Sequence, residues 1–380
     1  YDEAEAILGV HGAEGADPFE PPRGGPYPHR PIDYTAPAQR IVRASESLGY
    51  RPFPLPLAIN FTDEREPLCI RCTTCDGFPC KLEAKNDAAR TFLRLGMAEG
   101  LTLLANTRVH EILLSGDRAT GLVCVDRSSL DRVELTADTI VVAAGAIESP
   151  SLLTRSGLGS HPAIGRYLMR HCNAIVSCLF PFQTNPDRTF HKQVCVADFY
   201  EDFRDRDGTA VGVIQDIYTP TPEVMKHHAP KWGKWVIDLT HRHLQNLLCV
   251  AEDEPRAENA VELTNRPGAD GMPAIRVTHD YTPADYARIR LLTDRAAAIL
   301  KAAGGHLAYR HRLDTFSHAL GTVRMSDSAE EGPIDRSGRL RAANNVYVTD
   351  GSVFPTSAGL NPSLTIAANA LRVGEGIVRG

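Results

Sequence analysis

Hydrophobic and polar positions alternate with a period of two over much of the first half of the chain. The segments 101–114, 119–126 and 132–146 alternate in this way, and short polar turns separate them. Successive side chains of a strand point to opposite faces, so this period predicts three consecutive β-strands. Residues 171–280 alternate similarly between long polar connections, which predicts a second, mostly antiparallel sheet.

The clearest helix that the pattern predicts lies at 282–304. Apolar positions recur there with helical spacing. Thr282 is a natural N-cap, Pro283 suits the first helical position, Asp285 stands where a capping box places an acid, and Gly304 ends the pattern. Because a helix with one apolar face buries that face, we expect this helix to pack against the rest of the protein.

Shorter helices are expected near the N-terminal end. The patterns at 37–49 and 85–96 are helical, and the opening residues "YDEAEAILGV" have the pattern of a helix interior. The segment 11–68 is otherwise rich in Pro and Gly. We expect it to lie extended over another part of the protein, because it could bury little core of its own.

One predicted strand runs directly into a turn and a helix. The strand at 132–146 includes Gly145 near its end, and a helix is expected soon after, with Ser149 at its N-cap and Pro150 at its first position. A strand that leads through a tight turn into a helix N-terminus is the arrangement that nucleotide-binding sheets use.

A similar arrangement is expected near the C-terminal end. A short strand at Val346–Thr349 leads into Asp350 and Gly351, and a helix is expected from Pro362 with Asn361 at its N-cap. A carboxylate next to a glycine lets backbone approach a ligand, and a helix N-terminus favours an electron-rich or anionic group. Taken singly, each feature is also an ordinary turn or cap.

Composition excludes several classes of protein. The chain has 380 residues, of which 43% are hydrophobic and 23% charged, as in ordinary globular proteins. A net charge of −6 without a Lys/Arg cluster argues against a nucleic-acid surface. The chain shows no apolar run of about 18 residues that predicts a membrane span.

Cysteine usage points to a reducing compartment. The chain has an odd number of cysteines, 9, and several lie in apolar, strand-like runs where free thiols behave as small hydrophobic residues. Disulfide frameworks are rare in the cytosol, so these thiols predict a cytoplasmic location. The scattered cysteines are Cys124, Cys172, Cys178, Cys195 and Cys249.

Four further cysteines, Cys69, Cys72, Cys75 and Cys80, lie in the stretch "CIRCTTCDGFPC". Their spacing, C-x2-C-x2-C-x4-C, is one residue longer at the end than the bacterial ferredoxin run. Zinc sites usually have two separated pairs or nearby histidines at a defined spacing. The residues alone therefore leave open both a metal or iron–sulfur cluster and a purely structural role.

Several motifs in order resemble one enzyme family. "HALGT", which begins at His318, is followed by "DGSVFPTS" and "GLNPSLTIAANA", and the three resemble the C-terminal signature of the glucose–methanol–choline (GMC) oxidoreductases. "GAIESPSLLTRSGLG" and "AIGRYLMRH" resemble two further segments of that family, and the resemblance covers roughly 69–380. Cysteine-rich runs occur in bacterial members, so the resemblance implies a structural role for 69–80 and no metal site.

The resemblance implies an α/β fold. An FAD/NAD(P)-binding-like sheet domain would be joined to an α+β substrate domain built on an antiparallel sheet. The expected segments are 1–68, extended or lid-like and packed on the FAD domain; 69–170, part of the FAD-binding domain; 171–304, the substrate-binding domain; and 305–380, the C-terminal part of the FAD-binding domain with the catalytic motif.

The resemblance also implies FAD-dependent oxidation of a hydroxyl group. His318 would accept the hydroxyl proton while hydride passes to flavin N5, and Asn361 would hold the substrate oxygen. Neutral histidine suits a base because its ordinary pKa is about 6.5. The cofactor-binding residues implied are Val109 at the adenine end, Ala144 and Gly145 near the dinucleotide, Asp350 and Gly351 at its ribityl or pyrophosphate part, and Asn361, Pro362 and Ser363 at the helix start, which would stabilise charge on the reduced flavin.

One expected motif is not found. The family's G-x-G-x-x-G turn holds the FAD pyrophosphate, but "GLGSHPAIG" and "GEGIVRG" have other spacings and follow no predicted strand. We therefore expect a companion polypeptide that carries the N-terminal FAD-binding segment. Removal of that segment by cleavage, or loss of the flavin, are the alternatives.

The substrate expected is a small alcohol or carbohydrate, with a sugar or glycoside favoured. Two other functions stay open: an FAD-containing lyase like the hydroxynitrile lyases, which would keep His318 as acid and base, and a non-catalytic subunit that relays electrons through 69–80. Polar and aromatic residues in the second sheet region suit a sugar, namely Tyr200, His227, His228, Trp232, Trp235 and His241.

Overall fold

The computed structural model describes residues 1–73, 75, 79–203, 210–228, 230–268 and 271–380, without the side chains of His228 and Trp232. The α-helices are α1 (Asp2–Leu8), α2 (Ala36–Ser47), α3 (Arg94–Ala98), α4 (Gly145–Arg155), α5 (Pro222–His228), α6 (Lys234–Thr240), α7 (Pro283–Ala302) and α8 (Ser363–Arg379). The strands are β1 (Phe53–Pro54), β2 (Thr107–Ser115), β3 (Arg118–Asp126), β4 (Arg132–Thr136), β5 (Ile140–Val142), β6 (Cys172–Leu179), β7 (Val194–Val196), β8 (Gly212–Ile217), β9 (Leu244–Ala251), β10 (Ala260–Pro267), β11 (Pro273–Thr278), β12 (His306–Leu313) and β13 (Val346–Val348).

The predicted second sheet is six-stranded and antiparallel, in the order β1-β7-β8-β9-β6-β12. One face carries apolar side chains that pack against α2 and α7, where Ile289, Leu292 and Ile299 are buried. Burying such a side chain stabilises the fold by about 1.5–3 kcal/mol. The other face carries a separate apolar cluster that includes Cys195 and Val213.

A smaller unit is built from two sheets. The strands β2, β3 and β4 form an antiparallel sheet, and β5 pairs in parallel with β13. Asn345 ties the two sheets together, because its side chain accepts a hydrogen bond from the Ala119 backbone N–H and donates to the carbonyls of Ala119 and Asp138. A small β10–β11 hairpin completes the strand pairing. Helices and both kinds of sheet confirm the predicted α/β class.

The helix predicted at 282–304 is confirmed as α7, including the residues that cap its N-terminus. Thr282 caps α7, its hydroxyl accepts the Asp285 N–H at 3.1 Å, and the Asp285 carboxylate accepts the Thr282 N–H at 2.7 Å. This reciprocal pair is the capping box that the sequence predicts. Gly304 follows the helix with φ +96°, a left-handed conformation that glycine adopts without steric cost.

The strand boundaries differ from the predictions in two places. The pattern at 101–114 gives a strand only from Thr107, and the pattern at 132–146 divides into β4 and β5. Near 85–96 the chain forms a π-helical turn over Ala89–Leu93 that continues into α3. A period of two predicts which side chains lie on the apolar face of a strand, but it does not predict the residue at which strand pairing ends.

The prediction that Ser149 caps a helix with Pro150 at its first position is wrong. Helix α4 begins at Gly145, so Pro150 lies inside the helix. A proline at this place cannot donate to the carbonyl four residues earlier, that of Ala146. The Thr322 hydroxyl donates to the Ala146 carbonyl at 2.6 Å instead. A side chain distant in sequence thus replaces the missing backbone donor, which local sequence signals could not show.

The segment 1–68 buries more than its composition predicts. Helix α2 places Ala38 and Ile41 in the core of the six-stranded sheet, and β1 pairs with β7. This part of the segment therefore packs on the antiparallel sheet. Strand β12, beyond residue 304, pairs with β6 in the same sheet. The division into four segments otherwise stays a prediction.

No helix within the described ranges has both the length and the apolar character that crossing a membrane requires.

Candidate active site

His318 lies in the turn after β12, and a two-residue clamp holds this turn. Met169 and Leu320 form an antiparallel bridge, in which the Met169 N–H donates to the Leu320 carbonyl at 3.1 Å and the Leu320 N–H donates to the Met169 carbonyl at 2.9 Å. The clamp brings the end of the segment 163–171 against the turn. His171, two residues after Met169, therefore lies beside His318.

The clamp depends on a glycine next to it. Gly321 has φ +91°, and a Cβ at this position would stand 2.5 Å from both the Met169 Cε and the Tyr167 carbonyl oxygen. Any side chain would push these segments apart as well as strain the backbone. The close contact with Met169 and Tyr167 thus explains why the "HALGT" motif has glycine at this position, which the sequence alone did not show.

His171 contacts His318 ring to ring. The two Nδ1 atoms are 2.8 Å apart, and the ring planes stand at 87° to each other. On the other side, the Nε2 of His171 lies 2.7 Å from the carbonyl oxygen of Ser357. The backbone N–H groups of Arg170 and His171 donate to the two carboxylate oxygens of Asp253, which fixes this segment.

Asn361 completes the group. Its Nδ2 lies 3.3 Å from the Nε2 of His318, and its Oδ1 accepts a hydrogen bond from the Nε2 of Gln215 at 2.9 Å. The prediction that Asn361 caps a helix beginning at Pro362 is wrong, because α8 begins at Ser363 and Pro362 occupies the N-cap position. The Asn361 side chain is directed at His318 instead, as its predicted catalytic role requires.

Burial shapes the electrostatics of the two histidines. Burial, followed by the proximity of His171 and Lys192, lowers the pKa of His318 to about 4. Burial also lowers the pKa of His171, against the opposing effects of Asp253 and of hydrogen bonds to backbone carbonyls. Both rings are therefore neutral near pH 7, and a neutral imidazole can accept a proton.

Asp350 joins the end of β13 to the start of α4. Its Oδ1 accepts the Ser352 N–H at 2.8 Å, and its Oδ2 accepts the Gly145 N–H at 3.0 Å and the Ser149 hydroxyl at 2.5 Å. The two predicted strand-to-helix junctions thus meet, with Ala144 in the N-cap position of α4. Ser149, predicted as a cap, is used as a donor to this carboxylate.

Two features at these junctions fit an electron-rich cofactor. Among the described residues, no atom outside the chain neighbours of Gly145 and the backbone of α4 lies within 4 Å of the position that a Cβ of Gly145 would occupy, so the start of α4 has open space beside it. At α8, no side chain of the described residues caps the helix, and Ser363 is exposed at its first position. Uncapped N–H groups at a helix start attract oxygen atoms and negative charge. Gly351 is explained by packing, since a Cβ there would stand 2.8 Å from Leu320.

Val109 lies apart from the catalytic pair. It is in β2, where it pairs with Cys124 just before a bulge, and its side chain packs on the core that includes β5 and β13. The contacts of the described residues neither join it to the other predicted site residues nor test its expected contact with an adenine.

The four cysteines between 69 and 80 are half-buried. Cys69 and Cys75 pack against Ile59, Phe190 and Tyr218, and burial raises the pKa of Cys69 and that of Cys75, the latter to about 11. Within the described ranges, which omit 74 and 76–78, no group of three or more His, Cys, Asp or Glu side chains is arranged to hold a metal ion.

Of the residues expected to suit a sugar, Tyr200 contacts the segment that leads to Asn361. Its hydroxyl accepts the Gly359 N–H at 3.4 Å, two residues before Asn361. Trp235 is 62% exposed, and the His241 ring bonds the Ile237 carbonyl within its own turn. His227 lies in α5, and the side chains of His228 and Trp232 fall outside the description.

Sequence reasoning missed two members of the site, His171 and Gln215. His171 ends the quoted segment "AIGRYLMRH", but nothing local shows that this segment meets the turn at His318. Gln215 is, with Asp216, one of two adjacent polar residues in β8 and is fully buried. A buried amide in a central strand is the available signal, because such a group requires a partner.

The chain matches known proteins over nearly its whole length. Two family models, both described as GMC oxidoreductase, match residues 29–173 and 255–370. The 6'''-hydroxyparomomycin C oxidase of Streptomyces lividus is 33% identical over 99% of this chain and 70% of its own length. The paromamine 6'-oxidase of Streptomyces fradiae is 32% identical over the same shares of the two chains.

The fold also matches solved structures. The crystal structure of pyridoxine 4-oxidase from Mesorbium loti aligns with 98% of this chain and 72% of its own, with a TM-score of 0.65 and 19% sequence identity. At this identity the likeness concerns the fold alone.

Proposed function

Because this chain belongs to the GMC oxidoreductase family, we propose that it uses FAD to oxidise a hydroxyl group of a carbohydrate, with His318 as the base. The observation that carries the proposal is the contact between His318 and Asn361. A neutral imidazole nitrogen and an amide N–H donor lie 3.3 Å apart, so a substrate hydroxyl that displaces their mutual hydrogen bond can donate to the first and accept from the second.

The two side chains have different roles toward that hydroxyl. The Nδ2 of Asn361 donates to the substrate oxygen and positions it, and the Nε2 of His318 accepts the hydroxyl proton. When bound, FAD supplies the acceptor for the hydride that leaves the same carbon. The low pKa of His318 keeps the ring free of a proton before substrate binds.

The two junctions around Asp350 support FAD as the cofactor. Gly145 and Ala144 at the start of α4, Asp350 with Gly351 after β13, and the uncapped start of α8 at Pro362 and Ser363 would hold it. The open space beside Gly145 and the exposed Ser363 at the start of α8 fit such a group. Val109 at the adenine end stays part of the proposal.

For the substrate, we propose an amino sugar of the paromamine type. The support comes from the two Streptomyces relatives, whose names give paromamine and 6'''-hydroxyparomomycin C as the compounds oxidised. A lyase on the same fold would also use His318, but it would not reduce the flavin. A relay subunit would use neither His318 nor Asn361, whose mutual contact argues against that function.

The test is product formation with purified native protein. Its visible absorption spectrum should show oxidised flavin, and paromamine should be converted to a carbonyl product. An analogue of paromamine without the 6'-hydroxyl is the matched control and should give no product. A protein that binds flavin, leaves both compounds unchanged and shows no reduction of the flavin would contradict the proposal.

A companion polypeptide with an N-terminal FAD-binding segment stays a prediction, as does the cytoplasmic location. A denaturing gel of the same native preparation tests the companion directly. A second chain that co-purifies with the flavin would support it, and flavin bound by a single polypeptide would contradict it.

A further inference from the structure

A single series of hydrogen bonds runs through the active site. It starts at the Ser357 carbonyl, passes through the rings of His171 and His318, and continues through the amides of Asn361 and Gln215. The distances between successive polar atoms are 2.7, 2.8, 3.3 and 2.9 Å. The two rings and the Asn361 amide each take part through two of their atoms, so the protonation or orientation of one constrains that of the next.

The Ser357 carbonyl fixes the direction of this series. A carbonyl oxygen can only accept, so the Nε2 of His171 must carry a hydrogen and donate it. A neutral His171 then has a bare Nδ1, which can only accept. The Nδ1 of His318 must therefore carry the hydrogen that joins the two rings, and the Nε2 of His318 is left with a lone pair.

The hydrogen bonds at the Asn361 and Gln215 end of the series have the same direction. The lone pair on the Nε2 of His318 accepts from the Nδ2 of Asn361, whose Oδ1 accepts in turn from Gln215. The opposite direction would place two bare Nδ1 atoms 2.8 Å apart, which repel. Gln215 ends the series, since its Oε1 meets no donor among the described residues.

Burial excludes the one alternative. If His171 carried two hydrogens, its Nδ1 would donate and the tautomer of His318 would reverse. The His171 side chain is buried in the fold, with 1% of the residue exposed. A cation there would lose its hydration, so the neutral ring is favoured. Asp253 does not compensate through a ring contact, because its carboxylate oxygens accept from the backbone of Arg170 and His171 and from the Nε2 of His279.

We propose that His171 is a positioning residue that sets the tautomer of His318, so that the lone pair of the base lies at Nε2, beside Asn361. His171 does not touch the substrate in this account. It acts through the Nδ1–Nδ1 contact and through the Ser357 carbonyl that holds its own ring.

The same contact matters after proton transfer. When the Nε2 of His318 takes the substrate proton, the ring becomes an imidazolium with hydrogens on both nitrogens. The bare Nδ1 of His171 still accepts from the Nδ1 of His318, and a hydrogen bond from a charged donor is stronger than a neutral one. The proton stays on His318, since its transfer to the Nδ1 of His171 would place the cation on the more deeply buried ring.

Two substitutions separate the two contacts of His171. His171→Asn can present its Oδ1 as an acceptor at the place of Nδ1, and it loses the bond to Ser357. His171→Gln can keep a donor for Ser357, but it lacks an acceptor at the place of Nδ1. The backbone at His171 has φ +59°, which Asn tolerates. Thermal unfolding of both variants checks that each is folded.

The primary readout is the nitrogen NMR spectrum of protein labelled at its 14 histidines. Protonated and bare ring nitrogens resonate at distinct shifts, and the His318→Gln variant assigns the signals of His318. We expect Nδ1–H with bare Nε2 in the wild type and in His171→Asn, and a mixture of tautomers in His171→Gln. A wild-type His318 protonated at Nε2 overturns the proposal, even if neither variant folds.

Steady-state oxidation of paromamine gives the second readout. In His171→Gln we expect kcat to fall by about 10²-fold, the lower part of the range for general-base catalysis, with KM little changed. His171→Asn should recover much of that loss. The exposed His306, at the distal end of β12, gives the control variant His306→Gln. Wild-type kcat together with an unchanged tautomer in His171→Gln would also overturn the proposal.

The kinetic readout rests on the proposed function, but the spectroscopic one does not. If paromamine is not oxidised by the wild type and the tautomer still shifts in His171→Gln, the proposed substrate fails and the role of His171 stands. If paromamine is oxidised and the tautomer does not shift, the role of His171 fails and the proposed function stands.

Discussion

The orientation of the two proposed catalytic residues depends on the side chains that contact them. His318 and Asn361 were predicted from motifs in the sequence, and the structure brings them within 3.3 Å of each other. The residues that orient them, His171 and Gln215, come from other parts of the chain. A sequence motif consists of residues that are close along the chain, whereas the orientation of a side chain depends on contacts with distant segments. Only His318 and Asn361 could therefore be predicted from the sequence.

The low pKa of His318 predicts a dependence of stability on pH. In the folded protein the pKa is about 4, compared with about 6.5 for an unfolded chain. The unfolded state therefore binds the proton first as the pH falls. The free energy of unfolding should decrease from about pH 6.5 towards pH 4, because the unfolded state binds more protons in that window.

Urea denaturation at a series of pH values measures this effect. The variant His318→Gln lacks the titrating ring, so its stability should decrease less than that of the wild type between pH 6.5 and pH 4. The lowered pKa of His171 acts in the same direction and remains in the variant. Parallel stability curves for wild type and variant would show that the folded His318 titrates normally.

At the scale of elements, the predictions were correct where local chemistry decides and wrong where distant contacts decide. The capping box of α7 lies within four residues and was predicted correctly. The start of α4 was placed at Ser149 because Ser-Pro is a common helix opening. The helix instead begins at Gly145, since the Thr322 hydroxyl supplies the donor that Pro150 lacks.

This replacement gives a prediction about Thr322 and Pro150. Thr322→Val keeps the shape of the side chain but leaves the buried Ala146 carbonyl without its donor, which should cost about 1–3 kcal/mol of unfolding free energy. Thr322→Ser keeps the hydroxyl and is the matched control. Pro150→Ala restores a backbone N–H, so the cost of Thr322→Val should be smaller in that background.

Chemical denaturation of the four combinations of Thr322→Val and Pro150→Ala gives a double-mutant cycle. A coupling energy of zero would mean that the hydroxyl and the missing N–H do not compensate for each other, which would contradict this account of how α4 begins.

At the scale of the whole molecule, the fold class and the order of the two sheet regions along the chain could be predicted from the sequence. The packing of the N-terminal segment on the second sheet could not. The antiparallel character of the second sheet was visible as alternation along the chain. The sequence did not predict that α2 packs on this sheet or that β1 pairs with β7. The segment 1–68 is rich in Pro and Gly, and its strand β1 has only two residues. Pairing between segments that are distant in the chain gives no pattern in the sequence of either segment alone.

A bound cofactor should stabilise the whole fold. A ligand that binds only the folded state adds about 2.7 kcal/mol of unfolding free energy when it is present at 100 times its dissociation constant. We therefore expect thermal unfolding of flavin-free protein to shift to higher temperature on addition of FAD. NAD, which has the same adenine end but no flavin, is the control. Equal shifts with both would assign the effect to the adenine half and would not support a flavin site beside α8.

The most direct test of the central claim is the rate at which paromamine reduces bound flavin in the absence of oxygen, measured for the wild type and for His318→Gln. If His318 is the base, the variant should keep its oxidised flavin spectrum and lose about 10²-fold or more in the rate of reduction. Reduction by the variant at the wild-type rate would contradict the account, because the hydroxyl proton would then leave without His318.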